Sequence, residues 1–411
     1  MKRVCLVTLL SALLVLVCFT AVYPFWVRRG AAGVLKVGFI YENDGSTPHT
    51  YNFQLAEKAL QQKYPEKVEI FTRSNVLNSE TEEPVRELIR KGCSLIFTNG
   101  HSSDIYRMAE AYPEVQFCQI AWFDTSEETL PGNYHTFKGE IYQGWYVTGI
   151  AAGMKLQSMI EEGKLTQESA VAGFVGAERS NEAISAYTAF ILGIRSVCPG
   201  AVLKVRYCDA WSNFTLEKKG TTQLIEEGCV VLAAHCGTIG PALACEEAAL
   251  TKKVYYIGYN RSAVDIAPNT ALTGARINWE PYITGAVEAV MANAVIEKHV
   301  EGNVHGNDMS AGFEKDWIQL LEVNTRLCAA GTEEAMQQAV RDLKNGKLTV
   351  FKGNYIGKDP DNPKDTIDLS QGFEENKDCS FPAFHYILKD VVTIVEENAL
   401  WNGRGRNPMM S

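Results

Sequence analysis

The chain repeats itself. Residues 36–60, KVGFIYENDGSTPHTYNFQLAEKAL, pass from an apolar run through a polar loop into a helical pattern, and residues 171–197, VAGFVGAERSNEAISAYTAFILGIRSV, do the same. The segments that follow also match, LIRKGCSLIF from Leu88 against LIEEGCVVLA from Leu224. Both matches are offset by about 135 residues, and self-similarity at a fixed offset marks repeated architecture. Each half alternates short apolar runs with amphipathic helices, which predicts two α/β lobes, each a doubly wound parallel sheet. Ligands of such sheets sit beyond the carboxyl ends of the strands, so two facing lobes predict a ligand cleft.

A chain of 411 residues is too long for one core and suits two domains with extensions. We expect an anchor at 1–33 and a first lobe at 34–150, completed by about 280–318. A second lobe is expected at 151–279, completed by about 319–411. The formal net charge of -10 is spread over short acidic clusters with no basic stripe, which disfavours a nucleic-acid partner. Residues 4–27 carry no charge, lie between Lys2-Arg3 and Arg28-Arg29, and are long enough to cross a bilayer. Tyr23, Phe25 and Trp26 suit the far interface, and Leu16-Val17 before Cys18 is a poor lipoprotein signal. We therefore expect an uncleaved N-terminal transmembrane anchor holding the rest on the extracytoplasmic face.

Of the 11 cysteines, two fall in that segment and an odd number remains, with no CxxC pair among them. Neither a zinc site nor a full disulfide framework is expected, and free thiols at this density suit a reducing environment. The mechanical parts of nucleotide hydrolases, zinc peptidases and α/β-hydrolases are absent. His235 and Cys236 adjoin, but neighbouring side chains on a strand face opposite ways, so no catalytic dyad is expected. Asp359, Asp361 and Asp365 resemble the start of a calcium loop. The loop lacks the turning glycine and contains Pro360 and Pro363, so it reads as a solvated acidic loop, with no metal site and no cofactor.

What the expected strand ends offer is aromatic and amide chemistry. His49 and Tyr51 follow the first strand, Asn99 the strand ending at Phe97, and Trp211 the strand from Val202. His235 follows the strand from Val230, Asn260 the one ending at Ile257, and Asn278 and Trp279 the segment from Leu272. Flat rings with convergent amides suit a heterocycle: stacking for its face, hydrogen bonds for its edge and any sugar.

Beyond these positions the run FKGEIYQGWYVTGIAAGMK, then AFILGIRSVCPGA, DAWSNFTLEKKGTTQLIEEG, AAHCGTIGPALACEEA, YYIGYNRSAVDIAPNTALTGARINWEPYI and NGKLTVFKG resemble, in order, blocks of the basic membrane protein family. These are the purine-nucleoside-type solute-binding proteins of ABC importers, and the resemblance covers nearly all of residues 35–357. It implies a periplasmic-binding-protein type I fold and a non-enzymatic receptor for a nucleoside or purine base, presented to ABC permease subunits. By the same resemblance Trp211 stacks on the base, Tyr51 lies in the loop of the opposing face, and Tyr142 and Gln143 reach the sugar. Asn260 stands where many members place an aspartate for ribose, and Asn278 and Trp279 lie in the last hinge-side loop. Ser46 and His49 stand where relatives often have Asp and Trp, which leaves a free base, a deoxynucleoside or another heterocycle open as the ligand. Two rival readings are a ligand sensor coupled to a membrane kinase and a nucleoside-processing enzyme.

Overall fold

The computed structural model describes residues 33–395; the expected anchor at 4–27 lies outside them. Among the described residues no helix is long and apolar enough to cross a membrane. The first half builds β1 (Leu35–Ile40), α1 (Pro48–Lys63), β2 (Val68–Arg73), α2 (Glu82–Arg90), β3 (Leu95–Thr98), α3 (Asp104–Ala111), β4 (Gln116–Ile120) and β5 (Tyr134–Gly139). The second half repeats the plan. After α4 (Ile141–Glu161) come β6 (Val171–Gly176), α5 (Asn181–Val197), β7 (Val202–Tyr207), α6 (Phe214–Glu226), β8 (Val231–His235), α7 (Gly240–Ala248), β9 (Tyr255–Tyr259) and β10 (Ala271–Ile277).

Each half folds into a parallel sheet, ordered β2-β1-β3-β4-β5 in the first lobe and β7-β6-β8-β9-β10 in the second. The shared order is the structural form of the repeat, and it puts equivalent switch points next to β1 and β6. β1, β3 and β6 are buried along most or all of their length, as expected of strands covered by helices on both faces. Strand β5 was not legible in the sequence, because His135, Thr136 and Lys138 leave it without an apolar run; all three are nonetheless buried.

The chain crosses between lobes at three places: after β5, between β10 and α8 (Glu280–Met291), and after the hairpin β11 (Asn303–His305) and β12 (Asp308–Ala311). The hairpin joins the first sheet through a parallel pairing of β12 with β5, and β13 (Ile318–Leu320) then adds antiparallel to β10. The segment from Pro281 to His299 forms two helices, α8 and the short α9 (Ile296–His299), because Asn293 adopts a left-handed φ of 53°. Helix α8 returns to the first lobe, where Glu288 accepts from Lys63 Nζ at 2.9 Å and Tyr64 OH at 2.6 Å. After α10 (Thr332–Lys344), an extension forms a three-stranded sheet of β14 (Ile356–Lys358), β15 (Thr366–Asp368) and β16 (Ile387–Leu388). A last strand, β17 (Val392–Ile394), pairs parallel with β7. All nine cysteines among the described residues are free, and eight of them are buried.

Helices α4 and α5 pack backbone against backbone. A Cβ on Gly193 would run into the Tyr146 carbonyl, one on Gly149 into that of Phe190, and one on Gly153 into that of Ile194. Neither partner can give way, since each is main chain. Gly193→Ala should therefore lower the free energy of unfolding by about 1–3 kcal/mol or more, read as a lower urea midpoint at unchanged slope.

Candidate ligand-binding site

The carboxyl ends of both sheets meet around a cavity of about 170 Å³. From the first lobe, the loop after β1 brings Glu42, Asn43, Thr47 and His49, the loop after β2 brings Asn78, and the loop after β3 brings His101. From the second, α5 offers Glu182 at its first turn, the loop after β7 brings Trp211, and Tyr259 closes β9. Trp279, at the second crossing, forms the back wall with Ile277. Gly237 lets the Trp211 loop seat, because a Cβ there would run into the Trp211 carbonyl oxygen and Ser212 Oγ.

Rings line this space from both sides. His49 meets Trp279 edge-on at 6.2 Å, while His101 stacks on Trp122 at 6.0 Å and meets Trp211 across the cleft at 6.3 Å. Trp211 in turn stands perpendicular to His235 at 5.6 Å, and His235 packs on Tyr259 at 4.5 Å. One edge is charged: Lys138 Nζ on β5 reaches Glu182 Oε2 of the other lobe at 3.1 Å and the Ala121 carbonyl at 3.0 Å. The side chains are only 6 % and 11 % exposed. Burial by itself would raise the Glu182 carboxyl, but Lys138 and then His235 hold it down at about 2. His235 Nε2 lies 3.5 Å from Glu182, yet burial lowers the imidazole to about 4, so it is neutral at pH 7. Neither of its ring nitrogens has a hydrogen-bond partner.

Of the residues singled out from the sequence, His49, Trp211 and Trp279 line the cavity, and His235 stands behind Trp211. The others lie elsewhere. Asn99 is buried and holds the first-lobe loop, accepting from the Glu42 amide at 3.1 Å and donating to Thr50 Oγ1 at 3.0 Å. Ser46 is exposed, its amide turned to Asp44 Oδ1 at 2.9 Å. Tyr51 packs under Arg261 of the second lobe at 5.0 Å. Asn260, at a φ of 60°, accepts from Asn52 Nδ2 at 2.8 Å and from the Ile277 amide at 3.2 Å, so its carboxamide oxygen is engaged in a lobe-to-lobe bond.

Tyr142, Gln143 and Asn278 belong to the crossings, not to the cavity. Gln143 donates to Glu140 at 2.6 Å and accepts from the Phe313 amide at 3.0 Å, tying the first crossing to the third. Asn278 ties the second crossing to the third, donating to the Asp316 carbonyl at 2.9 Å. Tyr142 and Gln143 line a separate hinge-side hollow of about 760 Å³ that the C-terminal extension covers. Position, not residue type, separates the two groups: Tyr142 and Gln143 sit in the first turn of α4, at the hinge. Glu42, Asn78, Lys138 and Glu182 were missed as wall residues. The repeat carried a signal for Glu182, since the offset of about 135 residues maps it onto Thr47, another wall residue.

The chain belongs to the family of PnrA-like ABC transporter substrate-binding proteins (Bmp), whose model matches residues 35–345. The family consists of extracytoplasmic solute-binding proteins that work with ABC permeases. The chain is 27 % identical over 323 residues to a purine-binding protein of Brucella abortus strain 2308, covering 78 % of this chain and 83 % of that one. It is 26 % identical over 283 residues to a Haloferax volcanii protein named as an ABC transporter glucose-binding protein, covering 68 % and 64 %. Its fold matches an ABC transporter solute-binding protein of Aeropyrum pernix K1 with a TM-score of 0.61 at 14 % identity, over 77 % of this chain and 92 % of that one.

Acid should destabilise the folded protein in two windows. His235 binds protons in the unfolded chain at its ordinary 6.5 but in the folded one only near 4, so its contribution is lost as pH falls between those values. Glu182 is depressed from 4.5 to about 2, so its contribution is complete above about pH 5 and lost toward 2. Melting temperature followed from pH 7 to 2 should fall in both windows, and Glu182→Gln should remove the Glu182 part of the lower one while extending the His235 window downward, because the carboxylate that raises His235 is gone.

Proposed function

We propose that this protein is a non-enzymatic receptor whose lobes close on a free purine-type base and present it to an ABC permease. The observation that carries this reading is the size and lining of the cleft cavity. A dry cavity of about 150 Å³ takes a benzene ring, so about 170 Å³ walled by Trp211, Trp279, Tyr259 and two histidines suits a one- or two-ring heterocycle in a closed form. A nucleoside needs more room and a sugar-binding carboxamide, and the oxygen of Asn260 is already bonded to Asn52. The purine-binding relative of Brucella abortus supports the same ligand class. Lys138, Glu182, Asn43 and Asn78 supply donors and acceptors for the ring edge.

Receptor rather than enzyme is supported by the thiol beside the cavity. Cys236 turns from His235 toward Cys208 Sγ at 4.0 Å and the Val175 carbonyl at 3.4 Å, and burial raises it well above the ordinary thiol range. No base activates it. Residues 4–27 fit a membrane anchor in this reading, placing the cleft on the outer face.

Two measurements test the proposal. Purine bases should raise the melting temperature of ligand-stripped protein, by about 2.7 kcal/mol of stability at a concentration 100 times the dissociation constant. Nucleosides should act less strongly, and glucose or allose not at all. A shift with sugars alone would replace the purine reading with a sugar-binding one. Trp211 is half-exposed at the cavity wall, so Trp211→Ala should weaken base binding about 5- to 150-fold, as loss of stacking of about 1–3 kcal/mol requires. The ligand-free variant should melt almost as the parent does.

A further inference from the structure

We propose that Asp359, Asp365 and His385 form a binding site for a zinc-type divalent transition-metal ion in the C-terminal extension, outside the span that matches the family. One ligand atom from each lies within 4.8 Å of the others. The loop does not behave as the solvated acidic loop its sequence suggests, because Asp359 is only 1 % exposed. Its backbone is closed on itself: the Asp359 amide donates to the Asp365 carbonyl at 3.1 Å and the Asp365 amide to the Asn362 carbonyl at 2.8 Å. Pro360 and Pro363 stiffen the same turn, fixing the spacing of the two carboxylates before any ion arrives.

The histidine makes this more than an acidic cluster. His385 Nδ1 lies 2.8 Å from the Ala383 carbonyl, which can only accept, so Nδ1 carries the proton and Nε2 presents a lone pair. Nε2 is buried, has no hydrogen-bond partner and faces Asp359 Oδ2 at 4.0 Å. A lone pair directed at a carboxylate is repulsive unless a cation lies between them. A ring nitrogen fixed by a backbone carbonyl, with the other aimed at carboxylates, is the arrangement by which proteins orient a metal-binding imidazole. The carboxylates are steered as well, since Asp359 Oδ1 accepts from the Asp361 amide at 2.9 Å and Asp365 Oδ1 from Tyr386 OH at 3.3 Å.

Donors of one nitrogen and two carboxylate oxygens select the ion. Calcium and magnesium take oxygen ligands, whereas imidazole suits zinc and its neighbours. Zinc bonds of about 2.0–2.2 Å ask the three groups to draw together by roughly an ångström, leaving a fourth position for water. The three residues flank the ends of β14, β15 and β16, strands of three, three and two residues, so a bound ion would staple that sheet at its turns.

The test uses full-length protein stripped with a chelator, dialysed and titrated with zinc chloride, with calorimetry and elemental analysis as readouts. One zinc per chain and a higher melting temperature are expected, with calcium and magnesium doing neither. His385→Ala and Asp365→Asn, which change partly exposed residues, should each weaken zinc by more than about tenfold, the lower end of what loss of even an outer partner costs. Cobalt added to the unmodified protein should give the visible absorption of a low-symmetry site, which needs no variant to fold. Failure to hold zinc stoichiometrically, zinc binding unchanged in both variants, calcium binding as tightly as zinc, or no cobalt spectrum would each overturn the site.

Discussion

A lysine and a glutamate from opposite lobes are buried against each other, and the closed cleft depends on that contact. Desolvating two charges costs several kcal/mol for each ion, and only close pairing offsets it. Lys138 and Glu182 can pair only when the lobes are together, so the contact ties burial, charge and closure into one event. Separated, each returns to water; one without the other would be an uncompensated charge in the wall. The pair contributes register more than stability, with the Asn52 to Asn260 bond and the ring contact of His101 with Trp211 set around it.

The fold was legible in the sequence because repetition and apolar periodicity survive without an alignment. The shared strand order of the two sheets is the offset seen between Lys36 and Val171. What hid β5 was its polar sequence, whose buried His135, Thr136 and Lys138 are met by Glu297, Asp308 and Glu182 from distant parts of the chain. The candidate site was legible in part. Trp211, in the loop after β7, reaches the cavity, while Tyr142 and Gln143, near the start of a helix that leaves the cleft, serve the hinge. Asn260 holds a place at the strand end but spends its carboxamide oxygen on Asn52, a partner 208 residues away that no local pattern reveals.

The extension after α10 adds a constraint that the two-lobe plan lacks. Glu375 accepts from Ser185 of the second lobe at 2.6 Å, while Ser380 Oγ donates to Asp308 of the first at 2.6 Å. A segment bonded to both lobes behind the hinge limits how far they can part. Its own small sheet is seated on the core through Phe351, Leu369, Phe384 and Leu388, all buried, with Phe351 stacked on Phe384 at 4.5 Å.

The central claim is that the closed cleft holds one aromatic base. Mass spectrometry of small molecules released by heat from gently purified, undialysed protein tests it most directly. The account predicts a purine-type base at up to one per chain, absent after the protein is stripped. A released hexose, or an intact nucleoside as the dominant species, would contradict it.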